Sequence, residues 1–265
     1  MRRLAIVLLS IALLGAGHAA PPEGRPDRVL FVGNSLVYVG NLPAVFSALA
    51  AANGHTVHSD MIVQGGATLG ERVADGSVAR ALSSHAYTTV VLQERGGDLM
   101  CAFGPDSCAR SRAALKSLAD LAAEKGARIV LLGTYQSLPA SSRRLVEAES
   151  SAAADAGIPY IEISGQLQRL RTAEPGFAWF YTDGMHPGKD LVLLDAILLY
   201  RQAFGSLPDA RGFTVDAPIY ASNSGLTPEA RPADAPPPKA GTPHGISYAA
   251  ATIGRLRSLI GQAAD

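Results

Sequence analysis

Three residues of the types needed for acyl transfer stand at two places in the chain. Ser35 sits in "VLFVGNSLVYVG", where four apolar residues run into Gly33-Asn34-Ser35 and then into the start of a helix. Asp183 and His186 sit three apart in "YTDGMHPGKD". A serine hydroxyl becomes a nucleophile only beside a base, and the base needs an orienting acid. One turn-like loop suffices to bring Asp183 to the Nδ1 atom of His186, leaving Nε2 to point outward, and Pro187-Gly188 then directs the chain into the next helix. Taken singly each motif is weak: Asp-Gly makes ordinary turns, and a lone histidine is usually a satisfied surface or core residue. The chemistry lies in the combination.

For the pair to meet the serine, the surrounding elements must bring both to one edge. Apolar, β-rich runs at 29–33 ("VLFVG"), 55–63, 87–93, 127–135 and 158–164 read as five strands. Between them lie helical patterns over 42–52, 107–125, 141–156 and 191–204, the first three closed by Asn53-Gly54, Gly126 and Gly157. Strands that are continuously apolar and separated by helices imply a parallel sheet covered on both faces. The expected fold is therefore α/β, a three-layer α/β/α sandwich around a mostly parallel five-stranded sheet. Ligands collect beyond the carboxyl ends of such strands, which is where Ser35 falls.

Composition bounds the rest. A chain of 265 residues with 48% apolar and 17% charged content can bury one sizeable core. Residues 1–20 read as a secretory leader: Arg2 and Arg3 precede an apolar run and then small residues through Ala20. The run is shorter than the ~20 residues a membrane span needs. Export to the periplasm or medium is the expectation, without stable membrane insertion once the leader is cleaved. Removing the two arginines leaves 21 basic against 23 acidic side chains, so there is no basic footprint for nucleic acid. The main domain is expected over 27–210. Residues 211–245 hold "TPEARPADAPPPKAGTPHG", whose prolines argue for an extended surface segment without regular structure. Residues 246–264 resume a helical period, with Ile253, Leu256, Leu259 and Ile260 on the stripe expected to dock on the domain. Cys101 and Cys108, with six residues between them, read as a disulfide in an exported chain, two free buried thiols being the alternative.

With these blocks in place the chain resembles the SGNH/GDSL hydrolase superfamily, in the branch whose first block reads Gly-Asn-Ser and whose last reads Asp-x-x-His-Pro. The resemblance spans Val29 to about Phe204 and rests on "FVGNSLVYVGNLP", "IVQGGATL", "YTTVVLQERGG" and "YTDGMHPGKD". It implies Ser35 as nucleophile, His186 as general base, Asp183 as its orienting partner, a flavodoxin-like fold, and acyl hydrolysis without a cofactor. It also implies an oxyanion hole built from the Ser35 amide, a glycine amide of the second block and a side-chain amide of the third. In "QGGATL" the glycine is Gly66 or its neighbour Gly65. The third block departs from the family's Gly-x-Asn-Asp. Gln93 carries the same primary amide on a longer arm and is the expected donor, whereas an ionised Glu94 only accepts.

Other residues read more plainly. His55 and His58, three apart on an alternating strand, point to opposite faces, which is poor for a shared metal. His85 and His244 fall in loops, and no metal site is expected. Glu162 reads as a helix-capping or solvated residue. Asn34 can brace the serine turn and meet substrate, and Phe177 and Trp179 either line a subsite or anchor the Asp183–His186 loop in the core. The expected substrates are small esters or acetylated glycans. Lysophospholipids or thioesters, and a non-catalytic glycan-binding role, are the rivals.

Overall fold

A computed structural model describes residues 27–262; the expected leader, and residues 263 and 264 of the expected last helix, lie outside them. The chain runs β1 (Asp27–Gly33), α1 (Ser35–Tyr38), α2 (Leu42–Ala52), β2 (Val57–Val63), α3 (Leu69–Ala74), α4 (Ser77–Ser84), β3 (Thr89–Leu92), α5 (Pro105–Glu124) and β4 (Arg128–Leu132). It continues with α6 (Pro139–Ala156), β5 (Tyr160–Ile161), α7 (Ser164–Ala173), α8 (Lys189–Phe204), β6 (Phe213–Pro218), β7 (Arg231–Pro232), β8 (His244–Tyr248) and α9 (Ala250–Gly261). No helix among the described residues is long and apolar enough to cross a membrane.

Strand alternation divides the core in two. Val29, Phe31, Met61, Val63, Val91, Val130 and Leu132 face α2, α7, α8 and α9. Leu30, Val32, Ile62, Val90, Leu92 and Leu131 face α3 to α6. The result is a three-layer sandwich with a mostly parallel central sheet, in which β1 to β5 run parallel in the order β5-β4-β3-β1-β2. The chain leaves β1 for β2 on one side and returns to β3 on the other. The carboxyl ends of β1 and β3 therefore flank the switch in strand order where such sheets open a crevice.

The sheet has six strands, one more than the apolar runs suggest. The sixth, β7, pairs antiparallel with β2 through Met61–Arg231 and Asp60–Pro232. It comes from the segment expected to lack regular structure, and a proline is tolerated there because β7 is an edge strand. A second correction concerns β6 and β8, which form a separate antiparallel pair, so that residues 244–248 are strand and the last helix starts only at Ala250. Ile253, Leu256 and Ile260 of that helix are buried in the same core as α8.

The tail is fastened to the serine end of the sheet. Buried Asn41, at the N-terminus of α2, donates from Nδ2 to the carbonyls of Pro218 (2.7 Å) and Ala233 (2.9 Å). The Tyr38 hydroxyl donates to the Ser222 carbonyl at 2.6 Å, and Val39 bridges Tyr220. The C-terminal segment thereby reaches the mouth of the crevice.

Candidate active site

Gly33 ends β1 where there is no room for a side chain: a Cβ there would stand 2.7 Å from Val37 Cγ2 and 2.9 Å from the Gln93 carbonyl oxygen. The chain then turns sharply. Asn34 caps α1, its Oδ1 accepting from the Leu36 N–H at 3.0 Å, and Ser35 is the first helical residue. The Ser35 N–H is one of the donors a helix N-terminus leaves free. It makes no hydrogen bond among the described residues, and neither does the Gly66 N–H. Gly66 itself has φ +71°, with open space where a Cβ would be, so its glycine answers a backbone requirement.

The base comes from the loop before α8. Asp183 Oδ1 accepts the backbone N–H groups of Met185 and His186, each at 2.9 Å, and Oδ2 lies 2.7 Å from His186 Nδ1. These bonds hold the Asp183 carboxyl down at about 2, the His186 and Met185 backbone amides being the largest causes. An ionised carboxylate facing Nδ1 requires that nitrogen to carry the proton, which leaves Nε2 as the acceptor. The loop is fixed on three sides. Tyr181 N–H donates to the His186 carbonyl (2.8 Å), Tyr135 Oη to the Met185 carbonyl (3.0 Å), and Gly188 N–H to the Trp179 carbonyl (2.9 Å).

One cleft of about 790 Å³ joins these parts. Its walls include Asn34, Ser35, Gly65, Gly66, Arg95 and His186, with Ser222 contributed by the tail. That volume suits a ligand of ordinary small-molecule size. No hydrogen bond joins Ser35 to His186 among the described residues, and such contacts are often long before substrate binds.

Two expected residues are not brought in. Gln93 is fully buried and donates from Nε2 to the Gly133 carbonyl at 3.1 Å, away from the cleft. The signal was available in the strand period: Gln93 lies two residues after Val91, which faces the α8 layer, so both side chains point into the core. Trp179 is also buried, its Nε1 donating to the Glu174 carbonyl at 2.8 Å, and it packs on Phe177 as an anchor for the loop. Asn34 is buried yet lines the cleft, with Nδ2 unpartnered among the described residues.

The remaining candidates have local duties. Glu162 accepts from the N–H groups of Gly165 and Gln166 at the start of α7. His55 stacks on Phe204, and His244 lies 3.4 Å from Asp216. Cys101 and Cys108 form a disulfide, with Cα atoms 4.8 Å apart, and the loop it closes puts Phe103 on the cleft wall. What the sequence reading missed is Arg95, whose guanidinium reaches the cleft from the loop after β3.

No protein-family model matches the sequence, and no curated protein does so significantly. Solved structures do match. A candidate SGNH hydrolase from Slackia heliotrinireducens is 25% identical, with a TM-score of 0.54 over 68% of this chain and 100% of that one. An acetylxylan esterase from Geobacillus stearothermophilus matches at 14% identity and a TM-score of 0.56, over 68% of this chain and 95% of that one. A lipase/acylhydrolase from Enterococcus faecalis matches at 18% and 0.50, over 68% and 97%. The fold is that of these SGNH hydrolases and esterases, and in this chain the serine turn and the Asp183–His186 loop open on one cleft, so the chain is similar to the SGNH/GDSL hydrolases in the architecture that carries the site.

Proposed function

We propose that the protein is a serine ester hydrolase in which Ser35 is the nucleophile, His186 the general base and Asp183 its orienting partner. The observation that carries this reading is the 2.7 Å Asp183–His186 pair opening on the same cleft as Ser35. His186 Nε2 takes the Ser35 proton as Oγ bonds to the ester carbonyl carbon, and the carbonyl electron pair moves onto oxygen. The Ser35 and Gly66 N–H groups receive that oxyanion. The pair then returns, the bond to the leaving alcohol breaks, and His186 hands the alcohol its proton. Water repeats the sequence on the acyl-enzyme, so one water is consumed per ester.

The favoured substrates carry short acyl groups, such as acetate on glycans or small alcohols, in keeping with the likeness to an acetylxylan esterase. A second reading, a lipolytic enzyme acting on lysophospholipids or thioesters, is favoured by one observation: Phe103 and Met185 on the cleft wall are 59% and 63% exposed and give it an apolar rim. Export to the periplasm or medium is part of the proposal, supported by the leader-like N-terminus and by the disulfide. The test is a series of p-nitrophenyl esters from acetate to laurate, run beside acetate release from an O-acetylated glycan. The proposal expects turnover that peaks at acetate or butyrate and vanishes in Ser35→Ala. A peak beyond octanoate selects the lipolytic reading, and no turnover of any ester selects the non-catalytic one.

A further inference from the structure

With Gln93 committed to Gly133, the cleft has a backbone pair of oxyanion donors and an open third place. Arg95 lines the same cleft as Ser35 and Gly66. Its guanidinium is held as a fork: Nε donates to Asp98 Oδ2 at 2.7 Å and Nη2 to Asp98 Oδ1 at 2.9 Å. Asp98 is itself buried and receives the Ser107 hydroxyl at 2.6 Å. The flat face of the guanidinium lies over the Phe103 ring, 4.3 Å from its centroid. A guanidinium has five N–H donors in a rigid fork, and Asp98 engages only the Nε and Nη2 side. Nη1 faces the Gly66 turn, where it makes one long hydrogen bond of 3.5 Å to the Gly66 carbonyl oxygen and keeps its second N–H.

The neighbouring carboxylate fixes this corner. Glu94 is buried, and its oxygens accept the Arg95 N–H at 2.8 Å and the Leu69 N–H at 3.2 and 3.3 Å. Leu69 opens α3 directly after the Gly65-Gly66 turn. One side chain thus ties the loop carrying Arg95 to the turn carrying the Gly66 amide, while burial pushes its carboxyl up to about 7.

We propose that Arg95, through Nη1, is the third donor to the oxyanion formed at Ser35, a charged group in the role the family gives to a neutral amide. This rests on the serine-hydrolase reading above. Arg95 gives up no proton: it donates a hydrogen bond to the carbonyl oxygen while that oxygen holds the extra electron pair, and the bond weakens when the pair returns. The paired Asp98 keeps the site near neutrality, so substrate binding gains little from the cation. The oxyanion, which exists only during the reaction, gains more.

The experiment compares wild type with Arg95→Lys, Arg95→Gln and Arg95→Ala on p-nitrophenyl acetate, together with the rate of phosphonylation by a fluorophosphonate. Loss of one such donor typically costs ~10²–10³ in turnover. The expected result is a fall of that size in kcat for Arg95→Ala and Arg95→Gln with KM little changed, a smaller fall for Arg95→Lys, and partial recovery of Arg95→Ala by added guanidinium ion at non-denaturing concentration. The phosphonylation rate falls in parallel while its endpoint stays at one label per chain. Variants that keep wild-type kcat overturn the proposal, as does a loss that appears only in KM. A Gln93→Leu variant that alone loses turnover by this factor returns the role to Gln93. If wild type labels and turns over but the Arg95 variants do not differ from it, only the Arg95 role falls; wild type that neither labels nor turns over removes both readings.

Discussion

Replacing Asp183 by asparagine separates what this carboxylate does for the loop from what it does for the imidazole. The introduced amide keeps an Oδ1 for the Met185 and His186 N–H groups, both now at 2.9 Å, so the loop should hold its shape. The other corner becomes an NH₂ group facing His186 Nδ1 across the present 2.7 Å contact. A donor there selects the tautomer with the proton on Nε2, which cannot accept from Ser35. The attraction between carboxylate and the imidazolium formed on attack is also lost. At an effective dielectric of about 20, unit charges roughly 4 Å apart attract by about 4 kcal/mol. One-third exposure of the Asp183 side chain screens part of that, and the wrong tautomer adds the cost of an unmatched donor, about 1–3 kcal/mol. A total near 4–5 kcal/mol is about 10³–10⁴ in kcat. The assay is steady-state hydrolysis of p-nitrophenyl acetate with thermal unfolding alongside. A variant within tenfold of wild-type kcat refutes the reasoning, and so does one whose loss is matched by unfolding. Because the Asp183 carboxyl sits at about 2, no limb of the wild-type pH–rate profile above about pH 3 should arise from it.

Three further outcomes are expected. Burial pushes the Glu149 carboxyl up to about 7, above its usual 4.5, although Thr134 and Tyr160 donate to it. The native state then holds a proton the unfolded chain has lost, so stability should fall as pH rises from about 4.5 to 7, and Glu149→Gln should reduce that slope in pH-dependent thermal melts, the remainder coming from Glu94, which burial likewise pushes up to about 7. Gly33→Ala forces a Cβ to within 2.7 Å of Val37 and should cost roughly 1–3 kcal/mol in denaturant unfolding while displacing Ser35 and cutting turnover. Opening the Cys101–Cys108 link by a double serine variant should lower unfolding free energy by about 2 kcal/mol, a short loop giving a modest gain.

The residues legible in the sequence were those whose geometry is local. Asp183 and His186 are joined by one turn, and the apolar run before Gly33 ends at a place where only a tight turn fits, so spacing alone indicated their arrangement. The parallel strands showed as apolar runs because both sheet faces are covered. The edge strand β7 did not, since Arg231 and Pro232 carry no strand signature and pair only because Asn41 and the β6 end hold the tail against β2. Helices α3 and α4 are short and lie between runs that read as consecutive strands. Gln93 shows its functional group in the sequence, whereas its direction is set by the pleat that buries Val91. Arg95 carries no sequence signal because a basic residue in a polar loop is ordinary, and only the contacts with Asp98 and Phe103 fix it.

The central claim is that Ser35 is an activated nucleophile. Treating the folded protein with a fluorophosphonate and measuring its intact mass, then mapping the modified peptide, tests this most directly. One phosphonyl group per chain, on Ser35, is the expected result, with the rate of labelling lowered in Asp183→Asn and His186→Ala. An unlabelled Ser35 in folded protein, or a label placed on another serine, would contradict it.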